Sequence, residues 1–269
     1  MKGLYKPSDT SHKGENGRLL VIGGSKLFHA SVFWSADVAS KVVDLVHFSS
    51  PAEENNELVR VKLKEKFWNG IVVPFSKVEE YVEEDDCVLI GPGMPRNDGL
   101  MAGEPPTGKI VNNLLKKYSK KKWVVDGGAL QEVDESLLNG NMIITPHKRE
   151  WEMLVGDGEN VNDLMESVVS FSKNHKNVGV VLKGKEDIVC AGEECVVVEG
   201  GVVGMTKGGT GDVLAGLIAA LYCKNDKFLA AKVGSYVNKK AGENLSEDVG
   251  NYFNASGLVE SVAQVISKI

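Results

Sequence analysis

The 269-residue chain has no run of about 18 apolar residues, so nothing in it reads as a membrane-spanning helix. Its opening, Met1-Lys2-Gly3-Leu4-Tyr5-Lys6-Pro7, lacks the apolar segment of a secretion signal, which points to the cytoplasm. Positive charge is not in excess either: 31 Lys and Arg against 37 Asp and Glu leave a net charge of −6. That balance excludes a phosphate-coating basic surface, and sequence-independent nucleic-acid binding with it. Cysteines are few, and none forms a C-x-x-C pair; Cys87, Cys190, Cys195 and Cys223 read as buried free thiols in a reducing compartment. With no repeat, low-complexity tract or linker-like stretch, residues 1–269 are expected to form one domain.

What the chain does have is glycine, 30 residues of it, among short apolar runs. Leu19 to Ile22, Leu45 to Phe48, Ile71 to Val73, Cys87 to Ile90, Trp123 to Val125, Met142 to Ile144 and Val178 to Leu182 read as buried strands. Helical patterns lie between most of them, among them Ser31 to Val43, Lys109 to Tyr118 and Val161 to Lys173. This alternation predicts a mostly parallel sheet with helices on both faces. Asp187 to Cys190 and Cys195 to Val198 then predict an antiparallel hairpin at the sheet edge, followed by helices over Thr210 to Tyr222, Lys227 to Leu245 and Ser256 to Lys268. Open α/β sheets bind ligands beyond the carboxyl ends of their strands, where Gly23-Gly24, Gly91-Pro92-Gly93, Gly127-Gly128 and Gly208 to Gly211 are expected to lie.

The last of these loops carries the chemistry. Gly208-Gly209-Thr210-Gly211-Asp212 runs into the apolar pattern Val213 to Leu221, so the glycines open a buried helix. Without side chains their amides can approach a ligand, and a helix start favours an anion. Asp212 could simply cap that helix, but a cap needs one such residue and leaves the glycines unexplained. An acid beside an anion site is what activating a hydroxyl toward a phosphoryl group requires. Two other glycine patterns fail: Gly103 to Lys109 has P-loop spacing but Ile110 where a Ser or Thr should follow, and Arg96 replaces the third glycine of a dinucleotide fingerprint starting at Gly91.

Five segments in order resemble the ADP- or ATP-dependent NAD(P)H-hydrate dehydratases of the ribokinase-like superfamily. They are His12-Lys13-Gly14-x-x-Gly17-Arg18 leading into Val21-Ile22-Gly23-Gly24-Ser25; Leu89-Ile90-Gly91-Pro92-Gly93-Met94; Thr145-Pro146-His147-Lys148-Arg149-Glu150; Lys183-Gly184-Lys185-Glu186-Asp187-Ile188; and Met205-Thr206-Lys207 continuing through Asp212 to Gly216. The resemblance implies a ribokinase-like three-layer sandwich. It also implies a repair reaction, in which hydrated NADH or NADPH is phosphorylated on its ring hydroxyl by ADP or ATP and phosphate loss restores the reduced cofactor.

On that resemblance Asp212 accepts the hydroxyl proton, with Gly209 and Gly211 stabilising the moving phosphoryl group. Gly93, Asp126, His147 and Arg149 join Asp212 around the substrate. Lys183, Gly184, Lys185, Glu186 and Asp187, with Lys207 and Gly208 to Gly211, bind the nucleotide, and Glu150 holds Mg2+ through water. A homo-oligomer and a separate epimerase are expected as well. The chain departs from the family at Gly128, where a second acid usually stands, at Lys207, and at His29-Ala30-Ser31. A ribokinase-like kinase of a small alcohol or vitamin precursor shares Asp212 and its anion site, and a non-catalytic adenine-nucleotide-binding module is the third reading.

Overall fold

The computed structural model describes residues 2–62, 69–156 and 164–269. They build a nine-stranded sheet from β1 (Arg18–Ile22), β2 (Leu45–Ser49), β3 (Ile71–Val72), β4 (Cys87–Ile90), β5 (Lys122–Val125), β6 (Met142–Ile144), β7 (Gly179–Leu182), β8 (Asp187–Ala191) and β9 (Glu194–Val198). The spatial order is β3-β2-β1-β4-β5-β6-β7-β8-β9. Strands β1 to β7 pair in parallel; β8 and β9 are antiparallel, forming the expected edge hairpin.

Along β1, β2 and β4 to β8 both faces of the sheet are buried, which explains the continuous apolar runs. Alternate strand residues serve opposite layers. Leu19, Val21, Leu89 and Val124 pack with α1 (Ala30–Ala39) and with α8, α9 and α10 (Thr210–Lys224, Lys227–Val249 and Ala255–Ile266). Leu20, Ile22, Ile90 and Val125 face α3 (Val78–Glu84), α4 (Thr107–Lys117), α5 (Gly127–Glu132), α6 (Lys148–Val155) and α7 (Leu164–Asn174). One short helix, α2 (Glu53–Glu57), follows β2. Among the described residues no helix is long and apolar enough to cross a membrane.

Two helices differ from expectation by four residues at their ends. The pattern predicts α1 running to Val43, but it stops at Ala39, because Asp44 and Leu45 donate their amides to the Gly17 carbonyl and pull the chain into β2. Helix α9 continues past Leu245 to Val249, and only Gly250, at φ +62°, ends it. The first three positions expected for α7, 161–163, lie outside the described residues.

The cysteine reading needs correction. Cys87 and Cys223 are free and buried as expected, but Cys190 and Cys195 form a disulfide. Hairpin register decides this: the turn at Gly192 and Glu193 places Cys190 directly opposite Cys195, with Cα atoms 4.2 Å apart. Directly opposed side chains in an antiparallel pair share one face of the sheet, so the sulfurs meet without a C-x-x-C spacing.

Candidate active site

Three neighbouring strands deliver side chains to one point beyond the sheet: Asp126 follows β5, Thr145 follows β6 and Lys183 follows β7. The buried Asp126 carboxylate accepts from Lys183 Nζ at 2.9 Å and from the Thr145 hydroxyl at 2.7 Å. The Lys183 amide donates to the Pro146 carbonyl at 2.8 Å, extending the β6–β7 pairing and fixing where the lysine leaves the sheet.

Asp212 arrives from the helical layer above. Gly209 precedes α8 at φ +96°, a left-handed conformation that glycine adopts at little cost, and a Cβ there would lie 2.5 Å from the Trp34 ring. Thr210 Oγ1 sits 2.6 Å from the Met205 carbonyl and 2.9 Å from that of Lys207, tying the loop to the helix. Asp212 lies in the first turn, three positions past the cap residue Gly209, so it is not the residue that caps the helix. Its carboxylate accepts from the Ser31 hydroxyl, and its carbonyl accepts from Ser35 at 2.8 Å, locking α8 onto α1. A Cβ on Gly211 would stand 3.5 Å from Lys183 Nζ, which places the ammonium beside the positive end of the α8 dipole.

These neighbours set the protonation of Asp212. Burial raises its pKa and the Asp126 charge raises it further; Lys183 and the Ser31 hydrogen bond pull the other way, Glu150 adds to the rise, and the result is about 7. Lys183 moves oppositely to a solitary buried amine. Burial lowers its pKa, but the carboxylates of Asp126, Glu150 and Asp212 outweigh that and keep it charged. The cluster thus holds a permanent cation beside a carboxylate that exchanges its proton near neutral pH.

Glu150 and His147 form a reciprocal cap at the start of α6. The His147 amide donates to Glu150 Oε2 at 2.9 Å and the Glu150 amide donates to His147 Nδ1 at 3.1 Å. Gln131 occupies the other Glu150 oxygen at 2.9 Å. Glu150 is buried rather than solvated, while His147 is exposed with Nε2 3.7 Å from Glu150 Oε1.

Two cavities flank the cluster. The first, about 630 Å³, is lined by Lys183, Gly184, Lys185, Asp187, Thr210 and Gly211, and equally by Val202, Met205, Asn238 and Lys239. The second, about 380 Å³, is lined by His147, Arg149 and Glu150 with Phe28, Arg96 and Met153. Both fall in the usual range for small-molecule sites. Of the remaining sequence candidates, Gly208 and Gly209 form the approach to α8, Gly93 packs under the Phe28 carbonyl, and Glu186 is exposed outside both linings. Lys207 turns away from the first cavity, donating to the carbonyls of Asn251 and Phe253.

Lys239 escaped the sequence reading. This buried lysine of α9 donates to the carbonyls of Gly184 at 3.1 Å and Lys185 at 2.9 Å, and lies 3.3 Å from Asp187 Oδ1. Asp187 also accepts from the Gly184 amide at 2.9 Å and from Ser235 at 2.6 Å. The Asp187 carboxylate is therefore occupied by protein partners and shapes the Lys183–Gly184 turn. Ser235 and Lys239 stand four residues apart on one helix face, the only sequence sign that they act together.

Gly128 has a steric reason. A Cβ there would lie 1.9 Å from the Met94 carbonyl oxygen, so no acid side chain can leave this backbone. Gly128→Ala is expected to cost about 2 kcal/mol or more, because the obstacle is main chain and cannot rotate away. A thermal melt that matches the parent protein would overturn this.

A family model described as NAD(P)H-hydrate dehydratase matches residues 19–264. The bifunctional NAD(P)H-hydrate repair enzyme Nnr of Methanocaldococcus jannaschii is 33% identical over 273 residues, covering 99% of this chain and 51% of that protein. The chain thus spans about half the length of the bifunctional relatives it matches. The ADP-dependent (S)-NAD(P)H-hydrate dehydratase of Nitrosopumilus maritimus is 29% identical over 269 residues, covering 95% of this chain and 90% of that one. Among solved structures, the ADP/ATP-dependent NAD(P)H-hydrate dehydratase from Bacillus subtilis co-crystallised with ATP and Mg2+ superimposes with a TM-score of 0.76 at 19% identity, covering 98% of this chain and 93% of that one. Its likeness establishes the layered fold anticipated from the sequence, and the match over residues 19–264 settles descent: this chain belongs to the NAD(P)H-hydrate dehydratase family.

Proposed function

We propose that the chain restores hydrated NADH and NADPH to the reduced cofactors, using ADP or ATP as phosphoryl donor. The observation that carries this reading is the setting of Asp212: a carboxylate of pKa about 7 in a glycine-opened helix start, in a cluster whose Lys183 lines one nucleotide-sized cavity and whose Glu150 lines the other. The adenine nucleotide occupies the first cavity, its phosphates directed at Gly208 to Gly211 and Lys183. The substrate ring enters from the second, past His147 and Arg149, and reaches toward Gly93 and the Asp126–Lys183 pair. Asp212 takes the proton of the ring hydroxyl as its oxygen bonds to the terminal phosphorus and the phosphoanhydride bond breaks. Phosphate then leaves with a ring proton, and the double bond is restored. Positioning and charge stabilisation carry most of such a transfer, which suits a site rich in amides and a fixed cation.

Mg2+ fits this donor set as an ion shared with the nucleotide. Among the described residues no three acids, histidines or cysteines converge on a cage. Magnesium commonly takes its ligands from phosphates, water and one or two carboxylates, and when bound it neutralises phosphate charge. Glu150, buried and oriented by His147 and Gln131, would hold it through water. We place the activity in the cytoplasm, in a homo-oligomer, with an epimerase activity interconverting the substrate epimers.

The decisive assay adds hydrated NADH to the protein with ADP or ATP and follows the reduced-nicotinamide absorbance. Recovery is expected with at least one donor. Phosphorylation of a small alcohol without any recovery would mean the kinase reading instead, and nucleotide binding without either reaction would leave only the non-catalytic module. Within the nucleotide half, Lys239→Met is expected to raise the nucleotide KM about tenfold and leave the KM for the hydrate within about twofold, since it frees the Gly184–Lys185 carbonyls lining one cavity only. Equal changes in both constants would refute that division.

A further inference from the structure

We infer that Lys207 is a positioning residue for the glycine loop: it ties Gly208 and Gly209 to the 251–253 segment between α9 and α10, so that the loop amides are in place before the nucleotide arrives. This rests on the reading that sets the nucleotide phosphates at Gly208 to Gly211, and it adds the residue that keeps that loop in shape.

The loop needs a tether. Two successive glycines carry more backbone freedom than any other pair of residues, so ordering them is costly. Packing does nothing for the first of them: a Cβ on Gly208 would meet no atom within 4 Å, and the residue is exposed. Gly209 is confined by the Trp34 ring and by Ala255. Just beyond it, Thr210 Oγ1 reaches the carbonyls of Met205 and Lys207 and fixes the start of α8. Gly208 is therefore held through its neighbours, and the neighbour that precedes it is Lys207.

Lys207 supplies the hold. Its ammonium donates to the carbonyls of Asn251 and Phe253, at 2.7 Å for the latter, and lies 5.5 Å from the centre of the Phe253 ring. That anchor is firm, since Phe253 is buried and Asn254 caps α10 by accepting from the Gly257 amide at 3.0 Å. The same segment grips the loop a second time. Asn251 Oδ1 accepts from the Gly204 amide at 3.1 Å, and the Phe253 ring covers Gly204 so closely that a Cβ there would lie 2.5 Å from Cε1. Lys207 is thus joined by its side chain to the 251–253 segment and by its carbonyl to α8, with Gly208 and Gly209 between these two fixed points. Its side chain lies outside the lining of the nucleotide cavity, so it acts on the loop rather than on the phosphates. Amides held in this way stabilise charge without having to reorganise during the transfer.

The test measures binding of adenosine and of whichever of ADP and ATP the parent takes, by calorimetry on the whole protein, together with turnover of hydrated NADH, for the parent chain, Lys207→Met and Lys207→Arg. Lys207 is exposed, so thermal melts of both variants should stay close to the parent's. Lys207→Met is expected to weaken the nucleotide about tenfold, to change adenosine less than about twofold and to lower kcat about tenfold. Lys207→Arg keeps donors for both carbonyls and should recover most of each loss. The ratio of parent to Lys207→Met affinity should hold from about 0.05 M to about 0.5 M salt, because the lysine's partners are uncharged carbonyls. Unchanged nucleotide affinity and kcat in Lys207→Met overturn the inference. So does a loss that disappears at high salt, which would put the ammonium on the phosphates, and so does an equal loss for adenosine with a lowered Tm, which would reduce Lys207 to general stability. A parent protein that binds the nucleotide in this Lys207-dependent way but fails to restore hydrated NADH would sink the dehydratase reading and support the tether.

Discussion

Asp212→Asn is expected to lower kcat by about 10² to 10⁴ while making the folded protein more stable above pH 7. The loss follows from removing the proposed base for the hydroxyl proton, with the amides and Lys183 left in place. The gain follows from the environment that raises the Asp212 pKa from 3.8 to about 7, in which burial and the neighbouring Asp126 charge outweigh Lys183. A folded-state pKa above the unfolded value means the folded protein holds that proton more tightly. Its contribution is therefore complete below about pH 4 and is lost as pH rises through 7. The linkage amounts to at most about 4 kcal/mol, and partial exposure and coupling reduce the expected effect to about 1–3 kcal/mol. Asparagine never ionises, so its Tm advantage over the parent should be small near pH 5 and reach several degrees at pH 8. Parent activity should rise with pH and level off above about 7, where the base is ionised. A Tm difference that does not grow with pH would mean that Asp212 titrates as an ordinary surface carboxylate.

The same residue shows where sequence was enough and where it was not. Gly208 to Asp212 could be read as a helix opening because glycine before an apolar helical pattern is a local signal, and α8 begins where that pattern does, at Thr210. Strands read from apolar runs lie within one residue of their observed ends, because along β1, β2 and β4 to β8 both faces of the sheet are covered and burial is nearly continuous. Contacts made between distant elements left no such mark. Ser31, noted only as a departure from the family, supplies the hydroxyl on Asp212, and Lys239 closes the Gly184 turn from a helix some 50 residues further on. The Cys190–Cys195 bond lies between these cases. The hairpin itself was legible, but the consequence of its register was not drawn from spacing alone. Lys207 errs in the other direction, since a cation next to glycines suggested phosphate, whereas the nearby 251–253 segment offers carbonyls that take it up.

Lys183→Met should have the second large effect, and its character separates two roles for the lysine. Lys183 bonds Asp126 at 2.9 Å and interacts with Glu150 and Asp212, so its loss leaves three carboxylates facing one another without a cation. Breaking a buried pair by removing one partner costs about 3–5 kcal/mol, which a thermal melt will register as a lower Tm. Activity at pH 7 should fall about 10² to 10³, the scale for losing one donor that stabilises transition-state charge. The pH–rate profile is the discriminating readout. Lys183 holds the Asp212 pKa down, so without it the rise in activity should move to higher pH than in the parent, and activity lost at pH 7 should be partly regained near pH 8.5. Lys183→Arg retains the charge and should keep the profile near its original position even where the bulkier guanidinium slows turnover. An unchanged midpoint in Lys183→Met, with the whole loss appearing in the nucleotide KM, would confine the lysine to holding phosphate and remove it from control of the base.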